Sequence, residues 1–279
     1  MRLDFWKYQA NGNDFVIFDD RRSQFCESPS AHFSFICDRK KGVGADGILF
    51  LKTSMKADFK MIYLNADGGE VSMCGNGARA LTHFVHHVIK LKGRNPEEKK
   101  ITDYVFETQN GIYNSRVNED GKIFLTMTEL YDENAIDLSD FLPSEKILDR
   151  YYVNTGVPHC VFEVEDVDKF DLLSQAPTIR YDKRFEEGVN INVYQVLQPG
   201  DLKMRTYERG VENETLACGT GTIAVALTYA KKHGVNTGSQ LGINFQTLGG
   251  HLQVLLDEDK REFSGDVDLV FQGHFLDPI

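Results

Sequence analysis

Apolar and polar positions alternate along much of this chain, and the alternation predicts strands more often than helices. Asp58-Phe-Lys-Met-Ile-Tyr-Leu64 has the period of two of a half-buried strand. Tyr104 to Val117 reads as a hairpin closed at Asn110-Gly111, a pair suited to a type I′ turn. Further strands are predicted over 122–128, 151–153, 160–164, 191–197 and 203–207. Gly249-Gly250 separates two more, 242–247 and 252–256, and a last one covers 267–271. Two stretches switch to a helical period. The first runs from Gly75 to Lys92 and stops at Gly93, with Ala78, Leu81, Val85, Val88 and Ile89 on one face. The second runs from Gly219 to His233 and stops at Gly234, a glycine placed as a C-terminal cap. Its residues Ile223 to Leu227 are apolar all round, which predicts deep burial.

The two helices open alike. Glu70-Val-Ser-Met-Cys74-Gly-Asn-Gly-Ala-Arg-Ala leads into the first, and Glu214-Thr-Leu-Ala-Cys218-Gly-Thr-Gly-Thr-Ile-Ala into the second. Both fit E-x-x-x-C-G-x-G-x-x-A. The copies lie about half a chain apart, the mark of one duplication rather than a short repeat. The expected fold is α+β, with two pseudo-symmetric domains, each an antiparallel sheet wrapped around a central helix. The expected boundaries are 1–118 with 264–279 for the half carrying Cys74, and 119–263 for the half carrying Cys218.

Composition narrows the field. Of 279 residues, 41% are hydrophobic and 11% aromatic, enough to build a core rather than a disordered chain. The net charge of −11 argues against nucleic acid or an anionic membrane as the main partner. No apolar run approaches the roughly 18 residues of a spanning helix. The opening MRLDFWKYQANGNDF carries Asp4 and no apolar run, unlike a secretory signal, so a cytoplasmic protein is expected. Five sparse cysteines form no C-x-x-C and no zinc-finger spacing, so neither a disulfide framework nor a metal site is expected. Cys26, Cys37 and Cys160 read as packing or incidental thiols. His83, His86 and His87 read as a solvated helix face, and Glu97-Glu-Lys-Lys100 as a solvated loop.

A cysteine at a helix start feels the positive end of the dipole and free N–H groups, which lower its pKa. Backbone N–H groups at Gly75, Asn76, Gly219 and Thr220 can cradle an anion such as a carboxylate. Two such cysteines suit a two-base racemase or epimerase. One thiolate removes an α-proton, the other thiol reprotonates the opposite face, and the helix starts stabilise the charge that develops on the carboxylate. Thiol redox chemistry is the alternative from another class. A cysteine hydrolase leaves the second copy unexplained, and a phosphate-binding module lacks the Lys-Ser/Thr of a P-loop.

The motifs go further. Gly12-Asn13-Asp14-Phe15, Gly42-Val-Gly-Ala-Asp46-Gly47, Asn65-Ala-Asp-Gly68, Gly156-Val-Pro-His159, Gly188-Val-Asn190 and Tyr207-Glu-Arg-Gly210, with both cysteine boxes, resemble the diaminopimelate epimerase family in order and across most of the chain. The resemblance implies cofactor-free interconversion of LL- and meso-diaminopimelate, in lysine and peptidoglycan precursor synthesis. It implies Cys74 and Cys218 as the acid/base pair, with His159 and Glu208 beside the thiols helping to set their protonation. It implies that Asn13, Asn65, Asn190, Glu208 and Arg209 hold the substrate, and that Gly75, Asn76, Gly219 and Thr220 cradle its reacting carboxylate. It further implies a homodimer and a site in the cleft between the halves. Arg209 offers a planar fork to the distal carboxylate of diaminopimelate, and Glu208 can take the distal ammonium. Asp46 and Gly47 read as scaffold. Two features depart from the family: Val157 stands where many members have Asn, with Asn154 nearby, and the segment from Glu208 to Cys218 is one residue longer. A racemase of another amino acid, such as histidine, is the alternative on the same fold.

Overall fold

The computed structural model describes residues 3–25, 30–91, 101–127, 132–133, 136–142, 147–234, 241–257 and 260–276. Cys26, Gly93 and the run from Glu97 to Lys100 fall outside them. The chain divides into two compact units, Met1–Thr126 with Ser264–Ile279, and Met127–Phe263. In order, the strands and helices up to the first division are β1 (Leu3–Ala10), β2 (Asn13–Asp19), α1 (Ser30–Cys37), β3 (Gly47–Lys52), β4 (Phe59–Asn65), β5 (Glu70–Val71), α2 (Gly75–His83), β6 (Thr102–Thr108), β7 (Gly111–Val117) and β8 (Ile123–Met127). Next come β9 (Asp132–Glu133), β10 (Ile147–Asn154), β11 (Pro158–Val164), α3 (Leu172–Arg180), β12 (Asn190–Gln198), β13 (Asp201–Glu208), β14 (Asn213–Thr215), α4 (Gly219–Lys232), β15 (Leu241–Thr247), β16 (Gly250–Leu256) and β17 (Arg261–Gly265). The chain then returns to the first unit in β18 (Val267–Phe275).

The class is α+β, and one pairing scheme occurs twice. In the first unit β1–β2 is antiparallel, β2–β3 parallel, β3–β4 and β4–β5 antiparallel, β4–β6 parallel and β6–β7 antiparallel. In the second unit β10–β11, β11–β12, β12–β13, β13–β14, β13–β15 and β15–β16 repeat that series in the same senses. The wholly antiparallel sheet expected from sequence is therefore corrected to a mixed one. The physical reason lies in the connections. A parallel pair needs a crossover, and each of the four helices among the described residues supplies one. Helices α1 and α3, which the sequence reading missed, bridge β2 to β3 and β11 to β12.

Each unit keeps one helix inside its sheet and one outside. Strands β1 to β4, β7 and β18 pack on α2, whose Asn76 to Thr82 are all buried. Strands β10, β11, β12 and β16 pack on α4, which buries nine residues on several faces. On the outer side, Phe33 and Ile36 of α1 join Val16, Phe18, Ile48 and Phe50. Leu172, Ala176 and Ile179 of α3 join Phe162, Val164, Ile191 and Val193 in the same way. Strands covered on both faces carry continuous apolar runs, as in Phe15-Val-Ile-Phe18 and Ile48-Leu-Phe-Leu51. Cys37 and Cys160 are buried in these two outer cores.

Three local expectations are corrected. Asn110 does not take the positive φ of a type I′ turn; the hairpin pairs Thr108 with Gly111, and only Gly111 is positive, at 129°. The hairpin from Thr247 to Gly250 has the same build, with Gly250 at 112°. Helix α2 does not run regularly to Lys92. It loosens into a π turn over Phe84–Ile89 and stops at Lys90, whose left-handed φ of 54° breaks the ladder. The three histidines are not a solvated face. His86 is buried with Nδ1 at 3.0 Å from the Tyr104 hydroxyl, and His83 Nδ1 lies 3.2 Å from that of Tyr8.

Candidate active site

Cys74 is the N-cap of α2, with extended backbone at φ −141° and ψ 116°. The N–H of Gly77 donates to its Sγ at 3.4 Å. Asn13 opens β2 and gives its amide Nδ2 to Asp46 at 2.7 Å. That bond leaves Asn13 Oδ1 turned to Cys74 Sγ at 3.8 Å and to Asn76 Nδ2 at 3.5 Å. Asp46 is held in turn by the Arg39 guanidinium and the Asp14 N–H. Asp46 is therefore scaffold, as expected, but scaffold that orients Asn13. Asn65 ends β4 opposite Gly47, and its N–H donates to Gly69 O at 2.8 Å. A side chain on Gly47 would collide with the Leu64 carbonyl and the Tyr63 ring. Gly75 and Asn76 form the first turn of α2.

Arg79 lies one turn deeper and is fully buried. Its Nη2 donates to Asn76 Oδ1 at 2.7 Å and to Asn11 Oδ1 at 2.9 Å. Burial pulls its pKa down to about 10, while negative charge at Cys74 and Asp266 favours its charged form. By the same attraction Arg79 favours a thiolate at Cys74. Sequence reasoning passed over Arg79 and Asn11.

In the second unit Cys218 caps α4 with the same extended backbone, φ −128° and ψ 109°. Its Sγ lies 3.5 Å from the Thr220 hydroxyl. The expected lowering of the thiol pKa does not prevail at Cys218. Burial, reinforced by Glu208, pushes it up to about 12, against the Thr220 hydroxyl and the N–H groups of Gly221 and Thr220. Gly219 is confined, since a Cβ there would meet the Phe263 ring at 2.7 Å. The Thr155 hydroxyl donates to Thr220 O at 3.3 Å, steadying the first turn.

His159, Asn190 and Glu208 come together by strand register. His159 in β11 pairs with Asn190 in β12. Ile191 pairs with Tyr207, which sets Asn190 opposite Glu208 one step along. Asn190 Oδ1 accepts the Arg209 N–H at 2.7 Å. The Arg209 guanidinium donates to Glu187 O at 3.2 Å and lies 3.5 Å from the Glu187 carboxylate. Burial raises the Glu208 pKa, and the Thr215 hydroxyl opposes the rise. His159 is fully buried, and burial with the charge of Arg209 lowers its pKa to about 3. It is neutral at every ordinary pH.

At the two departures, Asn154 Oδ1 accepts the Gly156 N–H at 3.1 Å. The lengthened segment turns through Gly210 and Glu212, both at positive φ, and the Glu212 carboxylate is held by Arg180 and Tyr181. Among the described residues no group of three or more His, Cys, Asp or Glu could hold a metal ion.

The sequence pattern of the diaminopimelate epimerase family matches residues 5–131 and 151–270. The diaminopimelate epimerase of Flavobacterium psychrophilum is 34% identical, over 97% of this chain and 99% of its own. That of Methanocella arvoryzae is 37% identical, over 98% and 96%. Among solved structures, a phenazine biosynthesis protein of the PhzF family from Bacillus anthracis superposes with a TM-score of 0.69 at 17% identity, covering 99% of each chain. A probable proline racemase from Agrobacterium radiobacter superposes at 0.66 and 15%, covering 99% of this chain and 94% of its own. These two share the fold. With its sequence matched nearly end to end and a capped cysteine at the head of each inner helix, the chain belongs to the diaminopimelate epimerase family.

Proposed function

We propose that this isomerase interconverts LL- and meso-diaminopimelate by a two-base mechanism, with Cys74 and Cys218 acting on opposite faces of the α-carbon. The duplicated cysteine cap carries the reading. Each inner helix begins with a thiol in the same extended conformation, followed by a Gly-x-Gly turn at the positive end of the helix.

Burial and Glu208 keep the proton on Cys218 at rest. Cys74 is then the base toward one epimer and Cys218 the acid that completes the exchange. In the reverse direction the roles swap. As the α-proton leaves, negative charge grows on the adjacent carboxylate. The N–H groups of Gly75, Asn76, Gly219 and Thr220 stabilise it where it develops. No cofactor is required for that step. Asn13, Asn65, Asn190, Glu208 and Arg209 hold the remaining groups of the substrate, with Arg209 on the distal carboxylate and Glu208 on the distal ammonium. His159 and Glu208 help to set thiol protonation. The product serves lysine and peptidoglycan precursor synthesis, in the cytoplasm, and the working form is a homodimer.

The test is α-proton exchange in D₂O followed by NMR. LL-diaminopimelate, L-histidine and L-proline are each offered to wild type, Cys74→Ser and Cys218→Ser. Exchange with epimerisation is expected on diaminopimelate alone, falling at least about a hundredfold in each variant. Exchange on histidine or proline instead would overturn the substrate, and no loss in either variant would overturn the two-thiol mechanism.

A further inference from the structure

His159 is surrounded by bonds that settle where its ring proton sits. Asn192, two residues beyond Asn190 in β12, is fully buried and makes three hydrogen bonds. The Thr206 hydroxyl donates to its Oδ1 at 3.0 Å. Its Nδ2 donates to Cys160 O at 3.4 Å and lies 2.9 Å from His159 Nδ1. A carbonyl can only accept, so the bond to Cys160 O fixes which end of the Asn192 amide is NH2. That NH2 can only donate to His159. The lone pair of Nδ1 is thereby occupied, and a neutral imidazole with an accepting Nδ1 carries its proton on Nε2.

Asn192 also borders the reacting thiol. A Cβ built on Gly221 would run into Asn192 Oδ1 and would touch Cys218 Sγ at 3.4 Å. His159 Nε2 is buried and meets no hydrogen-bond partner among the described residues. A buried N–H with nothing to bond is costly unless a ligand or a charged group completes it in use.

We propose that His159 acts as a fixed Nε2–H donor to an anion of the reaction, thiolate or substrate carboxylate, and that Asn192 is the positioning residue that makes it so. This rests on the two-thiol reading given above and makes the part of His159 in setting thiol protonation that of a donor. The ring keeps its proton throughout turnover. Its N–H strengthens toward a partner that gains negative charge, as a preorganised donor should. The positive charge of Arg209 opposes a second proton on the ring.

The direct test needs no variant and no substrate. Nitrogen-resolved NMR of the free wild-type protein is expected to show His159 with Nδ1 unprotonated and Nε2 protonated, unchanged across the ordinary histidine titration range. A protonated Nδ1, or a ring that titrates in that range, would overturn the proposal even if diaminopimelate is epimerised. Failure of the two-thiol reading would appear separately, in the exchange assay. Asn192→Asp places an acceptor against Nδ1 and should move the ring proton there, with kcat falling more than KM changes. An unmoved proton in that variant would count against Asn192 as the positioning residue. His159→Ala should lose about a hundredfold in kcat, the cost of one donor to a developing anion. His159→Gln, whose amide NH2 reaches toward the Nε2 position, should recover most of it. Equal loss in the two variants would overturn the donor role.

Discussion

Gly221 shows how little room surrounds the second capping thiol. Its φ is not positive, so its constraint is steric rather than conformational. A methyl there would enter the space of Asn192 Oδ1, and Asn192, tied by three bonds, cannot yield without giving one up. Gly221→Ala should therefore cost about 1–3 kcal/mol in stability, as overpacking does, and should slow exchange as well. Gly121 is the control: at φ 85° with nothing within 4 Å, its alanine variant should lose about 1 kcal/mol for backbone strain alone and keep full activity. Urea unfolding and exchange rates read both, and a Gly221→Ala protein as active as Gly121→Ala would sink the argument. This scale also marks where sequence stops being informative. The cysteines were legible because each stands at the same point of a duplicated motif. Asn192, Arg79 and Asn11 were not, because a buried polar residue declares itself only through its partners. Those of Asn192 lie in two other strands, and Asn11 meets Arg79 from across the unit.

Helix α2 carries a second consequence, at its far end. His83 lies against Tyr8, and its ring is 4.2 Å from that of His87. Burial, with repulsion from His87 and His86 and only partial relief from Asp268, lowers its pKa to about 4. Burial lowers His87 in the same direction. A depressed folded pKa means that the unfolded chain takes the proton first. The contribution to stability is whole above the ordinary histidine range and is lost as pH falls through about 4. His83→Gln should flatten that acid limb by on the order of 2–3 kcal/mol, read as the urea midpoint at neutral pH and near the folded pKa. An unchanged acid limb would exclude His83 as its source. The same element shows what periodicity reveals. Its start was legible from the motif and its buried face from spacing. Its end was not, because a π turn and a left-handed lysine have no pattern of their own. Strand β3 was missed because Ile48 to Leu51 do not alternate, and helix α3 because Pro177 interrupts it. With α1 and α3 unseen, two of the four parallel crossovers were invisible, and those at α2 and α4 were not read as such.

At the scale of the whole chain, the repeated pairing scheme means that each unit brings one thiol, and two thiols make a distinctive isotope prediction. In D₂O each thiol equilibrates with solvent before substrate binds. A substrate that loses its α-proton to Cys74 receives deuterium from Cys218, so the product carries the label while unreacted substrate does not. A single base would behave otherwise, returning the abstracted atom to either face and labelling both epimers alike or neither. Starting from LL-diaminopimelate, early meso product should therefore be deuterated at the inverted centre and recovered LL substrate should remain protiated. The same partition should hold in reverse from the meso compound. In the two Ser variants the pattern should break in different ways. With Cys218→Ser, abstraction by Cys74 persists, so the epimer whose α-proton faces Cys74 should exchange it without inversion. With Cys74→Ser, exchange without inversion should appear instead on the opposite epimer. If both variants instead lost every form of exchange together, the thiols would not be acting as separate bases on separate faces, and the duplication would have to serve binding rather than proton transfer.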